Sequence, residues 1–185
     1  GLALRLKPVQ YASRDGGIDP KLMEANFMAK NVVPSTTPQH GYMYRNLNNP
    51  GVYYDENVQR MIMNYRAGFM RMSDYAMRIE NNREKAKTIL DQMEEVLPLG
   101  VIPMQDWTYT YYVARIFNEL GDSKRFDVYA KTVEDKLQEV INSGNTNSAD
   151  ASTNPYVVLS EIYSMRKDYS KAIEYLSKDI QEHEN

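Results

Sequence analysis

The stretch DWTYTYYVARIFNELGDSKRFDVYAKTVEDKLQEV, residues 106–140, decides the fold. Tyr109, Val113, Ile116, Phe117 and Leu120 recur three and four residues apart, the spacing of one helical face. Gly121 interrupts them, and Phe126, Ala130, Val133, Leu137 and Val140 resume the same period beyond it. Asp106 is placed to cap the first helix, and Gly121 to end it in the left-handed conformation. Two amphipathic helices joined by so short a connection lie antiparallel.

The same hairpin is readable on either side. Val58, Met61, Ile62, Tyr65, Phe69, Met72, Ala76 and Ile79 define one apolar face from Asn57 onward. Asn81 and Asn82 break that pattern, and Ala86, Ile89, Leu90, Met93 and Val96 carry a second helix that stops at Pro98. A third pair opens at Asn154-Pro155 with Val158, Leu159, Ile162 and Tyr163, followed by Ala172, Ile173, Leu176 and Ile180. Between the second and third pairs, NSGNTNSADASTN has too few apolar groups to pack and reads as a mobile loop. The predicted organisation is an irregular arm over 1–56 and a helical array over 57–185, with hairpins at 57–98, 104–142 and 154–182.

Within the arm, Gly16-Gly17 and Pro8, Pro20, Pro34 and Pro38 leave room for one short helix, about Pro20 to Lys30, with Asp19 as its cap and Pro20 in its first turn. Leu2, Leu4 and Leu6 alternate as an extended segment would. Asn49-Pro50-Gly51 marks a turn before the first long helix.

The pairs resemble tetratricopeptide repeats, helix-turn-helix units of 34 residues. Tyr156, Leu159, Ser160, Tyr163, Ala172 and Leu176 stand where that family has its large and small packing residues, and Val113, Ala114, Phe117, Gly121 and Ala130 do so in the middle pair. Phe126 departs from the pattern, because a small residue belongs there. The first pair has Met72, Ser73, Ala86, Leu90 and Pro98, with one extra residue in its turn, and all the connections are longer than the repeat allows. The predicted fold is therefore all-α: antiparallel helical hairpins stacked as a degenerate tetratricopeptide-like array. If the array has an inner groove, the resemblance lines it with Met70, Asp74, Tyr111, Arg115, Asn118 and Glu161, a mixture that suits a peptide better than a phosphate.

Composition narrows the function. A net charge of -3 and a pI near 5.5 argue against nucleic acid as a partner, which needs a surplus of Lys and Arg. There is no cysteine, hence neither a disulfide framework nor a thiolate metal site. No apolar run approaches the ~20 residues of a spanning helix, and no signal-peptide pattern opens the chain. GLALRLKPVQ, without an initiating Met, reads as the interior of a longer protein.

Nothing in the sequence assembles a catalytic centre. His40 and His183 lack partners at metal-ligand spacing and read as surface residues, so neither a metal nor a cofactor is expected. No phosphate-cradling or nucleophile-elbow motif occurs. Asp55-Glu56 sits where acids favour a helix N-terminus, and the neighbours Glu94 and Glu95 point apart on their helix. Met63, Met70 and Met77 form a second stripe on the first long helix, suited either to gripping a partner or, more simply, to packing. Arg60, Arg71 and Arg78 share a narrow sector that reads as a solvated face. In each of the pairs Tyr53-Tyr54 and Tyr111-Tyr112, one ring must point away from the other.

RNLNNPGVYYDENVQRMIMNYRAGFMRMSDYA, residues 45–76, resembles a signature of the protein O-mannosyltransferase-like family of multispanning bacterial membrane proteins, also described as domain of unknown function 2723. GLALRLKP resembles the stretch that follows the membrane portion in that family, with Leu4 where an aromatic is usual. The resemblance implies a soluble C-terminal region on the periplasmic side of the inner membrane, attached to a polytopic glycosyltransferase-like protein. The family's acidic catalytic residue belongs to the membrane part, so no catalytic residue carries over. The expected partners are a polypeptide acceptor or partner protein and the membrane portion of the same chain. The alternatives are a purely structural role, with the helices packed on the membrane portion or on a second copy and the groove filled by residues 1–44, or a free-standing helical adaptor.

Overall fold

The computed structural model describes residues 18–144 and 153–183. Over these residues the chain is all-α, with seven helices and no strand. The extended segment around Leu2 to Leu6, Gly16-Gly17 and most of the polar tract after Gly144 lie outside the described residues. The chain divides into two compact units, one ending at Pro103 and the other beginning at Met104.

In the first unit, α1 (Pro20–Phe27) starts where Asp19 accepts from Leu22 N at 3.0 Å and Pro20 fills the first turn. It ends at Phe27, three residues before the sequence expectation, ahead of Asn31 at φ 57°. Asn26 clamps the returning chain: its side chain accepts from Gly41 N at 3.0 Å and its carbonyl from Tyr42 N at 2.9 Å. The arm is thereby pinned to α2 (Glu56–Arg78), with the Phe27 ring edge-on to Tyr42 and Phe69 at 4.9 and 5.0 Å. Gly68 makes this close approach possible, since a Cβ there would lie 2.1 Å from Phe27 Cζ.

α2 pairs with α3 (Arg83–Val96) as the first hairpin. Its turn is one residue longer than the later one. Asn82 N bonds Ala76 O at 2.8 Å with Asn81 at φ 50°, whereas Asp122 N reaches only as far back as Phe117 O. Covered by α1 on one side and α3 on another, α2 buries Arg66, Gly68, Met70 and Ser73 besides the expected Ile62, Phe69, Met72 and Ala76. Val58, Met61 and Ile79, expected in the core, are exposed. Val58 and Met61 lie in the N-terminal turns of α2, which with 23 residues outruns the 14 of α3, and Ile79 is the C-cap at the turn between them.

The second unit holds two hairpins, α4 (Trp107–Leu120) with α5 (Ser123–Asn142), and α6 (Pro155–Met165) with α7 (Tyr169–His183); α5 also packs on α6. Asp106, Asp122 and Asn154 cap α4, α5 and α6 through their side chains. Gly121 ends α4 at φ 78°, as its position predicts. Phe126 is accommodated in the core where the repeat pattern wants a small side chain, and Arg166, the C-cap of α6, lies over its ring at 5.8 Å. Tyr109 of α4 and Ile173, Leu176 and Ile180 of α7 are exposed, against expectation. Leu137, Val158, Leu159 and Ile162 fill the interior. Burying such a side chain contributes about 1.5–3 kcal/mol before the entropy of ordering it.

Candidate functional site

Tyr111 and Arg115 are one helical turn apart on α4, with Asn118 a further turn along, so all three share a face. Glu161 comes from α6 to meet them. Its carboxylate accepts from the Tyr111 hydroxyl, and the Arg115 guanidinium lies 5.9 Å from the centroid of the Tyr111 ring, within cation-π range. Tyr111 is buried, Asn118 half-buried, and Arg115 and Glu161 exposed. Burial pushes the Tyr111 phenol well above its ordinary range; the bond to Glu161 and that carboxylate's charge add to the rise, and Arg115 offsets part of it. Among the described residues no ion pair engages Arg115. The cluster therefore offers an exposed cation outside any ion pair, a half-engaged carboxylate, an amide and a buried aromatic ring.

Met70 and Asp74 belong to the first unit. Met70 is buried in its core, and Asp74 is half-buried and held by Arg78 at 2.6 Å. Of the six candidate residues, Tyr111 thus meets both Arg115 and Glu161, and Asn118 stands on the same helix as Tyr111 and Arg115. Met63 and Met77 are half-buried, and Met63 Sδ accepts from Arg66 Nη1 at 3.9 Å. Arg60, Arg71 and Arg78 are exposed.

The carboxylates considered for catalysis are occupied otherwise or unclustered. Asp55 accepts from Val58 N at 2.9 Å as the cap of α2, and Glu95 is exposed. His40 is exposed in its loop. Among the described residues no three His, Cys, Asp or Glu side chains gather as a metal site would require. Tyr53 is exposed, whereas Tyr54 turns back to donate to Asn46 O at 3.0 Å.

Three features escape sequence reading. Arg66 is only 1 % exposed, and its guanidinium donates to Leu97 O at 3.1 Å and to Ile102 O, tying the linker after α3 to α2. Phe27, Tyr42, Tyr44, Tyr65 and Phe69 form one edge-to-face aromatic cluster. Arg166, the C-cap of α6, bonds Asp127 at 2.9 Å and also Glu134, both on α5. Only the last has a local signal, since Asp127 and Glu134 are two turns apart on one face.

No known family matches the chain, and neither a curated protein nor a solved structure does. Among the described residues no helix is long and apolar enough to cross a membrane.

Proposed function

We propose that this chain is a non-catalytic helical-hairpin domain that docks a polypeptide segment on the α4–α6 surface at Tyr111, Arg115, Asn118 and Glu161. One observation carries the reading: a phenol bonds a carboxylate across two helices, and a guanidinium that no ion pair engages among the described residues lies by the phenol's ring, open to solvent. Such a set pairs with the amides and carboxylates of an extended peptide, and the buried ring positions it at little entropic cost. The resemblance of residues 45–76 to the protein O-mannosyltransferase-like family supports a setting on the periplasmic side of the bacterial inner membrane, where the domain would position an acceptor polypeptide for a membrane-embedded glycosyltransferase.

Two experiments test the two halves of this reading. A panel of unstructured peptides screened against the chain should yield binders that Arg115→Glu weakens at least about tenfold, the loss of one charge-assisted contact. Equal binding by the variant removes the α4–α6 surface from consideration. An antibody raised against the domain should detect a band far above 21.4 kDa in the inner-membrane fraction of source cells; a band confined to the soluble fraction refutes the membrane setting.

The structural alternative draws on a specific observation in the first unit. Phe27, Tyr42 and Tyr44 of the arm cover Tyr65, Gly68 and Phe69 of α2. Removing residues 1–44 should then expose that apolar face and lower the melting temperature by several degrees, whereas a silent deletion argues against an arm that seals α2.

A further inference from the structure

Arg66 is held inside the first unit by two kinds of acceptor. Its Nη2 donates to the carbonyls of Leu97 and Ile102, and its Nη1 to the sulfur of Met63 at 3.9 Å. Met63 stands one turn earlier on α2, so the helix itself brings the sulfur to the guanidinium. A thioether is a weak acceptor, and a guanidinium taken out of water is a strong donor. The contact is therefore poorly matched on the sulfur side.

The methionines divide by access. Met43 and Met61 are exposed, Met70, Met72, Met93 and Met104 are buried, and Met63 is half-buried, so it combines access from solvent with a buried cation at its sulfur. Met77 is half-buried on the same helix, but among the described residues its sulfur has no hydrogen-bond donor. The length of the Met63 contact matters as well. An S–O bond of about 1.5 Å and a charge-assisted N–H···O distance of about 2.8 Å, meeting at the oxygen at roughly 125–130°, span the 3.9 Å between Sδ and Nη1. One oxygen atom fits the contact as it stands.

We propose that Met63 is an oxidation site whose sulfoxide is held by Arg66, so that oxidation by a peroxide tightens the first unit instead of loosening it. A sulfur lone pair attacks one oxygen of hydrogen peroxide, and the S–O bond forms as the O–O bond breaks. The released hydroxide takes the proton from the transferred oxygen and leaves as water; sulfur has lost two electrons and the peroxide has gained them. The unbranched side chain is flexible, and rotation about its Cγ–Sδ bond turns the new oxygen to Nη1. A sulfoxide ordinarily disrupts a fold because it sets a polar group among apolar ones. Here the oxygen gains an N–H of a guanidinium that is desolvated in any case, and the same guanidinium holds the linker at Leu97 and Ile102.

Hydrogen peroxide applied to the folded full chain, followed by peptide mass mapping and urea unfolding, tests this. The map should show one added oxygen on Met63 after Met43 and Met61 have reacted and before the buried Met70 and Met72 do. A Met63→Leu chain given the same treatment carries the same other methionines, so the difference between the two chains belongs to Met63. Treatment should raise the folded-to-unfolded ratio of the native chain at least about fivefold relative to its effect on Met63→Leu, the scale of one added hydrogen bond to a charged group. A check without oxidant uses glutamine, whose amide oxygen stands in for the sulfoxide. Met63→Gln should unfold at higher urea than Met63→Leu, whereas Met77→Gln should unfold at lower urea than Met77→Leu. A Met63 that stays unoxidised until Met70 and Met72 react, treatment that destabilises the native chain at least as much as Met63→Leu, or glutamine ranking below leucine at 63 as at 77 would each overturn the proposal.

Discussion

The hydroxyl of Tyr111 on α4 donates to the carboxylate of Glu161 on α6, 50 residues further along the chain. It is a polar tie between the first helices of two successive hairpins, made by a buried ring and an exposed acid. Tyr111→Phe keeps the ring and loses only the bond, so it should cost about 1 kcal/mol, whereas Tyr111→Ala also opens a cavity and should cost about 3–5 kcal/mol. Urea unfolding of both variants checks the ratio. Equal losses would mean that the bond rather than the ring dominates. Only Tyr111→Phe is then suited to peptide-binding assays, because the alanine variant would confound binding with folding.

Arg66 sits in the core of the first unit, its guanidinium donating to two main-chain carbonyls of the linker after α3. Arg66→Ala removes the stem and leaves the carbonyls of Leu97 and Ile102 without this donor, and should destabilise by about 3–5 kcal/mol. Arg66→Met, which keeps much of the volume, should lose clearly less. Denaturant midpoints of the two variants decide the matter, and equal midpoints would show that packing contributes nothing there.

The hairpins were legible because their signals are local. Asp106, Gly121 and Asn154-Pro155 punctuate helices whose apolar periods need no knowledge of the rest of the chain. Arg66 was not legible, because its partners are carbonyls 31 and 36 residues further on, and a carbonyl has no identity in a sequence. The contact of Phe27 with Gly68 is hidden for a similar reason: a glycine inside a helix reads as a weakness until the ring that needs the space is known. Helix α7 misled in the opposite direction, since Ile173, Leu176 and Ile180 have the period of a buried face and burial depends on a neighbour. Of the candidate surface, the tetratricopeptide resemblance set Tyr111, Arg115 and Glu161 on one lining, and Tyr111 meets each of the other two. It could not show that Asp74 is taken up by Arg78 or that Met70 is core.

Gly68→Ala tests the seating of the arm on α2. Its new methyl would meet the Phe27 ring, so the ring must leave its place against Tyr42 and Phe69, at a cost of about 1–3 kcal/mol. In a Phe27→Ala background the same substitution should be harmless or slightly stabilising, since alanine is the better helix former by about 1 kcal/mol. A double-mutant cycle measures the difference. Additive effects would show that the clash is not what the arm feels.

Tyrosine burial sets the response to alkali. Burial raises the phenols of Tyr42 and Tyr44 in the first unit and of Tyr111 in the second above the ordinary value of 10.0, with neighbouring phenols or Glu161 adding to it. Below pH 10 these groups are neutral in both folded and unfolded chains, so their contribution is complete there. As pH rises above 10, the unfolded chain releases protons that the folded chain retains, and stability falls. Unfolding followed by circular dichroism should thus be insensitive to these groups near neutrality and steepen above pH 10, with Tyr44→Phe making the fall shallower. A variant as alkali-sensitive as the native chain would show that Tyr44 ionises as freely folded as unfolded.

Lys167 holds at φ 64° the place that Gly121 occupies at φ 78° one hairpin earlier. A side chain in the left-handed region is strained by roughly 1–2 kcal/mol, while glycine there is strain-free but gives the unfolded chain more freedom. The strain outweighs the entropy. Lys167→Gly should therefore stabilise the second unit by about 0.5–1 kcal/mol, and Gly121→Ala should destabilise it by at least as much. Urea unfolding with an unchanged slope would place both effects in the folded turn rather than in the compactness of the denatured chain. If Lys167→Gly is instead destabilising, the lysine side chain contributes more at this turn than its backbone strain costs. The two turns would then be equivalent in shape but not in what holds them.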